Sequence, residues 1–204
     1  MHNIMQTVAL LEVSLSCAVL IILLLQKLSL KPWPSSVKVV LVLILANLFF
    51  WPLGLNLPLA GYVRGVTGDF SIVTLLLLWG SLFDSTKPIP NGVKIAIGLI
   101  AIIFYPLALG LGMTDPYALG YASNVFLVAV ILVAIVCAVA NWSRGVWLIA
   151  IAIIAWSAHW HESSNLWDYL LDPFLALWAI GSLLGALYAR RKAKARSGYL
   201  FRPG

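Results

Sequence analysis

The sequence predicts an all-α, polytopic membrane protein: seven transmembrane helices, arranged as one helix plus three helical hairpins, with the N-terminus out and the C-terminus in. Composition is the first reason. Of 204 residues, 62% are hydrophobic and 10% charged, whereas a soluble domain carries about 25% charged residues. So few charges cannot clothe a water-facing surface, which excludes the soluble classes. Apolar run length is the second reason, since a spanning helix needs roughly 20 apolar residues. The sorting of Lys and Arg along the chain is the third.

Seven spans follow in order, at about 8–26, 37–57, 69–84, 93–112, 117–140, 145–160 and 173–189. The first carries Glu12 among apolar residues and stops at Lys27. The second starts beside Lys38 and ends in "FWPLGL", where Pro52 removes a backbone donor and ends or kinks the helix. The third is short: "FSIVTLLLLWGSLF" supplies only fourteen residues between Asp69 and Asp84. The fourth ends in "FYPLAL", and the fifth opens after "TDPY". The sixth is short as well, and the seventh, "PFLALWAIGSLLGALYA", leads into the basic tail "ARRKAKARSGYLFRPG". Residues 1–189 are thus expected to form a single transmembrane domain and 190–204 a basic cytoplasmic tail resting on anionic lipid. The first apolar run lacks the basic n-region and small-residue cleavage site of a signal peptide.

Charge decides whether the short third run spans. With seven spans and the N-terminus outside, the inner side receives Lys27, Lys31, Lys38, Lys87, Lys94, Arg144 and six tail cations, and the outer side only Arg64. If the third run did not span, every later segment would flip and the tail would lie outside, against the positive-inside bias. The expected location is therefore the bacterial cytoplasmic (inner) membrane. The seven-span, N-out topology is shared with rhodopsins, but the seventh span holds no lysine for a retinal Schiff base. Cys17 and Cys137 fall in different spans at different depths, so a disulfide is not expected.

"FWPLGL" at 50–55 and "FYPLAL" at 104–109 match at an offset of 54 residues. Spans two–three and four–five therefore read as two copies of one hairpin with the same sense. Spans six–seven share that topology with histidines in place of the aromatic–proline turn. The outer loops are expected to dip into the membrane interface.

Acids mark the outer ends. Asp69, Asp115 and Asp172 each precede an outward-starting span, two of them as Asp-Pro, the N-cap plus N1-proline signature. Glu12 lies deeper, and acids inside a span tend to be functional. The stretch "AWSAHWHESSNLWDYLLDPF", 155–174, then gathers His159, His161, Glu162 and Asp168 on the same side as Arg64. On a helix, residues two apart point away from each other, so His159 and His161 could share one metal only if the helix has unwound. A metal there is possible but not favoured, because the spacing matches no zinc pattern; other cofactors are unknown. "SSNLWDYLL" reads as a short interfacial helix with Leu166, Trp167, Leu170 and Leu171 towards lipid or protein.

Two readings of this rim stand side by side. In one, His161 or His159 is a base, Glu162 or Asp168 orients it, and Arg64, with Asp69 and Glu12 nearby, binds an anionic substrate, the glycines at 61, 65 and 68 allowing close backbone approach. In the other, Arg64 pairs with Asp69 or another acid and the histidines are interfacial anchors. Three function classes remain: a membrane subunit or partner of a larger envelope assembly; an integral-membrane enzyme or enzyme subunit acting on a lipid-linked or anionic substrate at the outer leaflet; and a small-solute transporter component. Expected partners are membrane lipid and other membrane subunits. Nothing in the sequence suits nucleic acid.

Overall fold

The computed structural model describes residues 2–83, 88–121 and 124–200; Asp84 at the end of the third apolar run, and Lys87 and the tail cation Arg202 of the charge argument, lie outside them. Among the described residues the chain is entirely helical, with nine α-helices, one 3-10 turn and no strand. Three segments are long and apolar enough to cross a membrane, Met5–Leu28, Asn91–Ala108 and Pro173–Lys194, and Ser35–Phe50, Asn124–Val139 and Ser143–Ser157 are shorter apolar helices.

The chain divides into two compact units, one of residues 1–87 and 117–172, the other of 88–116 and 173–204. In the first unit, α1 (His2–Leu28) is the hub: α2 (Ser35–Phe50), α3 (Leu59–Thr67) and α4 (Ile72–Gly80) all pack on it. Small and branched side chains make this close approach possible. Ala18, Val19 and Ile22 of α1 form one buried cluster with Val42 and Ala46 of α2 and with Leu82 just beyond α4. α6 (Asn124–Val139) packs on α7 (Ser143–Ser157), and α7 packs on α4 and on the one-turn α8 (Trp167–Leu170).

The region expected to hold the third span is built differently. A helix not expected from the sequence, α3, precedes it, and α4 has only nine residues. At about 1.5 Å per residue, α4 is about 14 Å long, half of a bilayer core of about 30 Å. Its ends have identifiable causes. Gly68 closes α3 with φ 72°, a conformation that costs glycine nothing. Ser71 then caps α4, its Oγ accepting the Thr74 N–H at 3.2 Å. At the other end, Lys38 Nζ donates to the Leu82 carbonyl at 3.4 Å, and a Cβ on Gly80 would lie 3.2 Å from an Arg144 guanidinium nitrogen. Ile72, Val73 and Leu75 are buried.

The second unit is the pair α5 (Asn91–Ala108) and α9 (Pro173–Leu200). Gly98 of α5 faces Ile180 of α9, an added Cβ there standing in ordinary contact at 3.5 Å. The Lys94 ammonium lies 5.6 Å from the centre of the Trp178 ring. The two "F-aromatic-P-L" copies diverge in the fold. α2 stops at Phe50, before Pro52, and the chain turns through Leu53 and Gly54 at positive φ. α5 carries Pro106 inside it and ends at Ala108, with Gly110 at positive φ. α5 falls in one unit and α6 in the other, and α9 and α7 are likewise divided.

Candidate functional site

α7 stops at Ser157, and His159 takes a left-handed conformation with φ 51°. The chain from 158 to 166 is therefore a loop, and helical spacing no longer governs its side chains. His159 is exposed, whereas His161 is turned inward and 4% exposed. Among the described residues, no three His, Cys, Asp or Glu side chains converge as a metal site would need.

His161 meets Glu12, an acid 149 residues earlier in the chain. Its Nε2 lies 3.1 Å from Glu12 Oε2, and the neighbouring Trp160 indole N–H donates to Glu12 Oε1. Both carboxylate oxygens of a buried acid are thereby engaged, which a charge in an apolar helix requires. The imidazole stacks on the Tyr169 ring, centroids 4.8 Å apart and planes 18° from parallel. Tyr169, fully buried, accepts the His161 backbone N–H at 3.0 Å and donates to the Ser163 carbonyl at 3.0 Å. Burial pushes the Tyr169 phenol above its ordinary pKa, against the lowering effect of the His161 backbone bond.

Arg64 is spent on acids. Its Nε and one terminal nitrogen fork onto Asp69 at 2.5 and 2.9 Å, and the same terminal nitrogen lies 3.5 Å from Glu162. The Asp69 hydrogen bond raises the guanidinium pKa, burial working against it. Asp69, expected to cap a span, is thus the partner of Arg64, and Ser71 does the capping. Asp172 accepts the Ser71 backbone N–H at 2.7 Å from across the fold, while preceding Pro173 at the start of α9.

Asp168 joins a third group. Its Oδ2 accepts from Tyr117 Oη at 2.8 Å and from Ser163 Oγ at 2.5 Å. Asn165, fully buried, donates to the Tyr117 carbonyl at 2.9 Å and accepts the Trp167 N–H at 2.9 Å. The Leu166 N–H donates to the Gly120 carbonyl at 3.0 Å, next to the Tyr121–Asn165 bridge. Leu166 and Leu171 are buried in protein, and Trp167 packs on Phe126 at 4.4 Å. Of the interfacial helix expected here only the single turn α8 forms, because the side-chain bonds of Ser163 and Asn165 compete with helical backbone pairing.

The fold therefore brings together Glu12 with His161, and Arg64 with Asp69 and Glu162, and sets Asp168 in α8 with Tyr117 and Ser163; His159 is exposed. Trp160, Tyr169, Tyr117 and Ser163 are members the sequence reading missed. The sequence signal for Trp160, Ser163 and Tyr169 was the density of hydrogen-bonding residues between 156 and 172, and Tyr117 had none. No protein-family model, no curated protein and no solved structure matches the chain.

Proposed function

We propose that the chain is a seven-span inner-membrane protein, N-terminus out and C-terminus in, acting as the membrane subunit or partner of a larger envelope assembly. On this reading the cluster is a clasp: it ties the 158–172 segment to α1, α3 and the start of α4 and presents a fixed polar surface on the outer side. The observation that carries it is the internal matching of charge. Arg64 is matched to Asp69 and Glu162, and Glu12 to Trp160 and His161. Acids and bases that already satisfy one another support a structural role. The enzyme reading draws less support, since the His161 ring is covered by Tyr169 and its side chain is 2% exposed. Purification in mild detergent tests the proposal. A partner retained at fixed ratio is expected, and loss of it when exposed Glu162 is changed to Arg. A chain that elutes alone and monodisperse overturns it.

A second reading, small-solute transport, rests on a separate observation: α3 and α4 are short helices interrupted at Gly68–Ser71, and α1, on which both pack, carries the buried acid Glu12. Interrupted helices next to an ionisable group are the way many transporters build a site. Uptake unchanged by Glu12→Gln across candidate solutes would remove it.

A further inference from the structure

α3 has two unlike faces. On one, Ala60 is fully buried, a Cβ on Gly61 would sit 3.8 Å from Leu10 of α1, and Arg64 is held by Asp69. On the opposite face, Tyr62 and Val66 lie one turn apart, and Val66 is 88% exposed. The chain leading into α3 is also apolar and uncovered: Trp51, Leu53 and Leu55 are all exposed. No charged residue occurs between Lys38 and Arg64.

We propose that the 51–57 turn and the Tyr62–Val66 face of α3 form a lipid-binding surface whose apolar side chains reach past the headgroups to the acyl chains of the outer leaflet. The proposal rests on the membrane reading above but not on the subunit reading. Two observations select lipid over a protein partner. The exposed stripe Val40, Ile44 and Leu48 of α2 runs at helical spacing into Trp51, so the patch continues the surface that α2 turns to the acyl chains. Its polar handles are the Trp51 indole and the Tyr62 hydroxyl, the amphipathic rings that settle at the membrane–water boundary. With its charge tied inward and its apolar face outward, α3 has the form of a helix lying in the interface plane.

The test uses the full chain with Cys17→Ala and Cys137→Ala, reconstituted into vesicles of phosphatidylethanolamine and phosphatidylglycerol. Nitroxide labels are placed singly at Leu55→Cys and Val66→Cys, with Lys192→Cys as the water-facing reference. Relaxation by oxygen is expected to exceed relaxation by a water-soluble nickel chelate several-fold at 55 and 66, with the reverse at 192. Nickel-dominated relaxation at 55 and 66 overturns the proposal, because the patch then faces water. Exclusion of both reagents overturns it equally, because protein then covers the patch. Two label sites keep the test decisive if one variant does not fold. Retention of the same protein after alkaline carbonate extraction checks the membrane reading separately.

Discussion

Glu12 and His161 sit 149 residues apart in sequence and 3.1 Å apart in space, and their energetics are those of a buried polar pair in which the Trp160 indole is the second partner of Glu12. Removing one side leaves the other unsatisfied, at about 1–3 kcal/mol. Glu12→Ala is therefore expected to lower the melting temperature in detergent by several degrees. Glu12→Gln should cost less than half as much, since an amide oxygen can still accept from Trp160. Equal losses for the two would show that the hydrogen bonds are not what matters there. Tyr169 offers a test with a sign. Its folded pKa is raised above the unfolded value of about 10, so its contribution is complete below pH 10 and is lost as pH climbs through the folded value. Tyr169→Phe should flatten that alkaline limb while losing about 1–3 kcal/mol through the bonds to His161 and Ser163. Arg64 differs in kind. Its pair with Asp69 is partly exposed, so Arg64→Ala should change stability by about 1 kcal/mol or less, with the difference from wild type shrinking as salt rises.

At the scale of elements, the loop from 158 to 172 is held by its contacts with the 117–121 turn. A Cβ on Gly120 would collide with the Asn165 carboxamide and press on Trp167. Gly120→Ala is accordingly expected to loosen this loop, read as earlier proteolysis between 158 and 172 with the helical content unchanged; unchanged protection would show that the bridge is dispensable. α4 shows why span length was a poor guide in this stretch. Its apolar run continues from Ile72 to Phe83, yet the helix stops at Gly80, where Lys38 and Arg144 come to its C-terminal end. Cations at that end complement the helix dipole, and Lys38 bonds the carbonyl of Leu82, two residues beyond the helix. Likewise Gly68, one of the glycines read from sequence as room for a ligand, closes α3 at positive φ.

For the whole molecule the sharpest expectation concerns sidedness. If the chain crosses seven times, a cysteine at Ser164 labels with impermeant maleimide from outside intact cells and one at Lys192 only after permeabilisation. Labelling of both from the same side removes the seven-span topology and with it the outward-facing clasp. Three helices have the length and apolar character to span unaided, and three more are apolar but shorter. α4 is shorter still and mostly enclosed by α1, α7 and α8.

Composition alone determined that this chain is helical and apolar, because a protein with 10% charged residues has few other ways to satisfy its backbone away from water. Local signals also placed some helix boundaries: Asp172-Pro173 does precede a long helix, whereas the expected end of the second span and start of the fifth each miss α2 and α6 by seven residues. What only the tertiary structure decided is which polar groups meet. Periodicity assigns a side chain to a face of its own helix, but His161 lies on a loop whose direction is set by a left-handed residue at 159 and by bonds to Tyr169. Its partner was then chosen by the packing of the distant α1. Pairings between groups far apart in sequence leave no local pattern, since the chain entropy that opposes them is overcome only when the whole core closes.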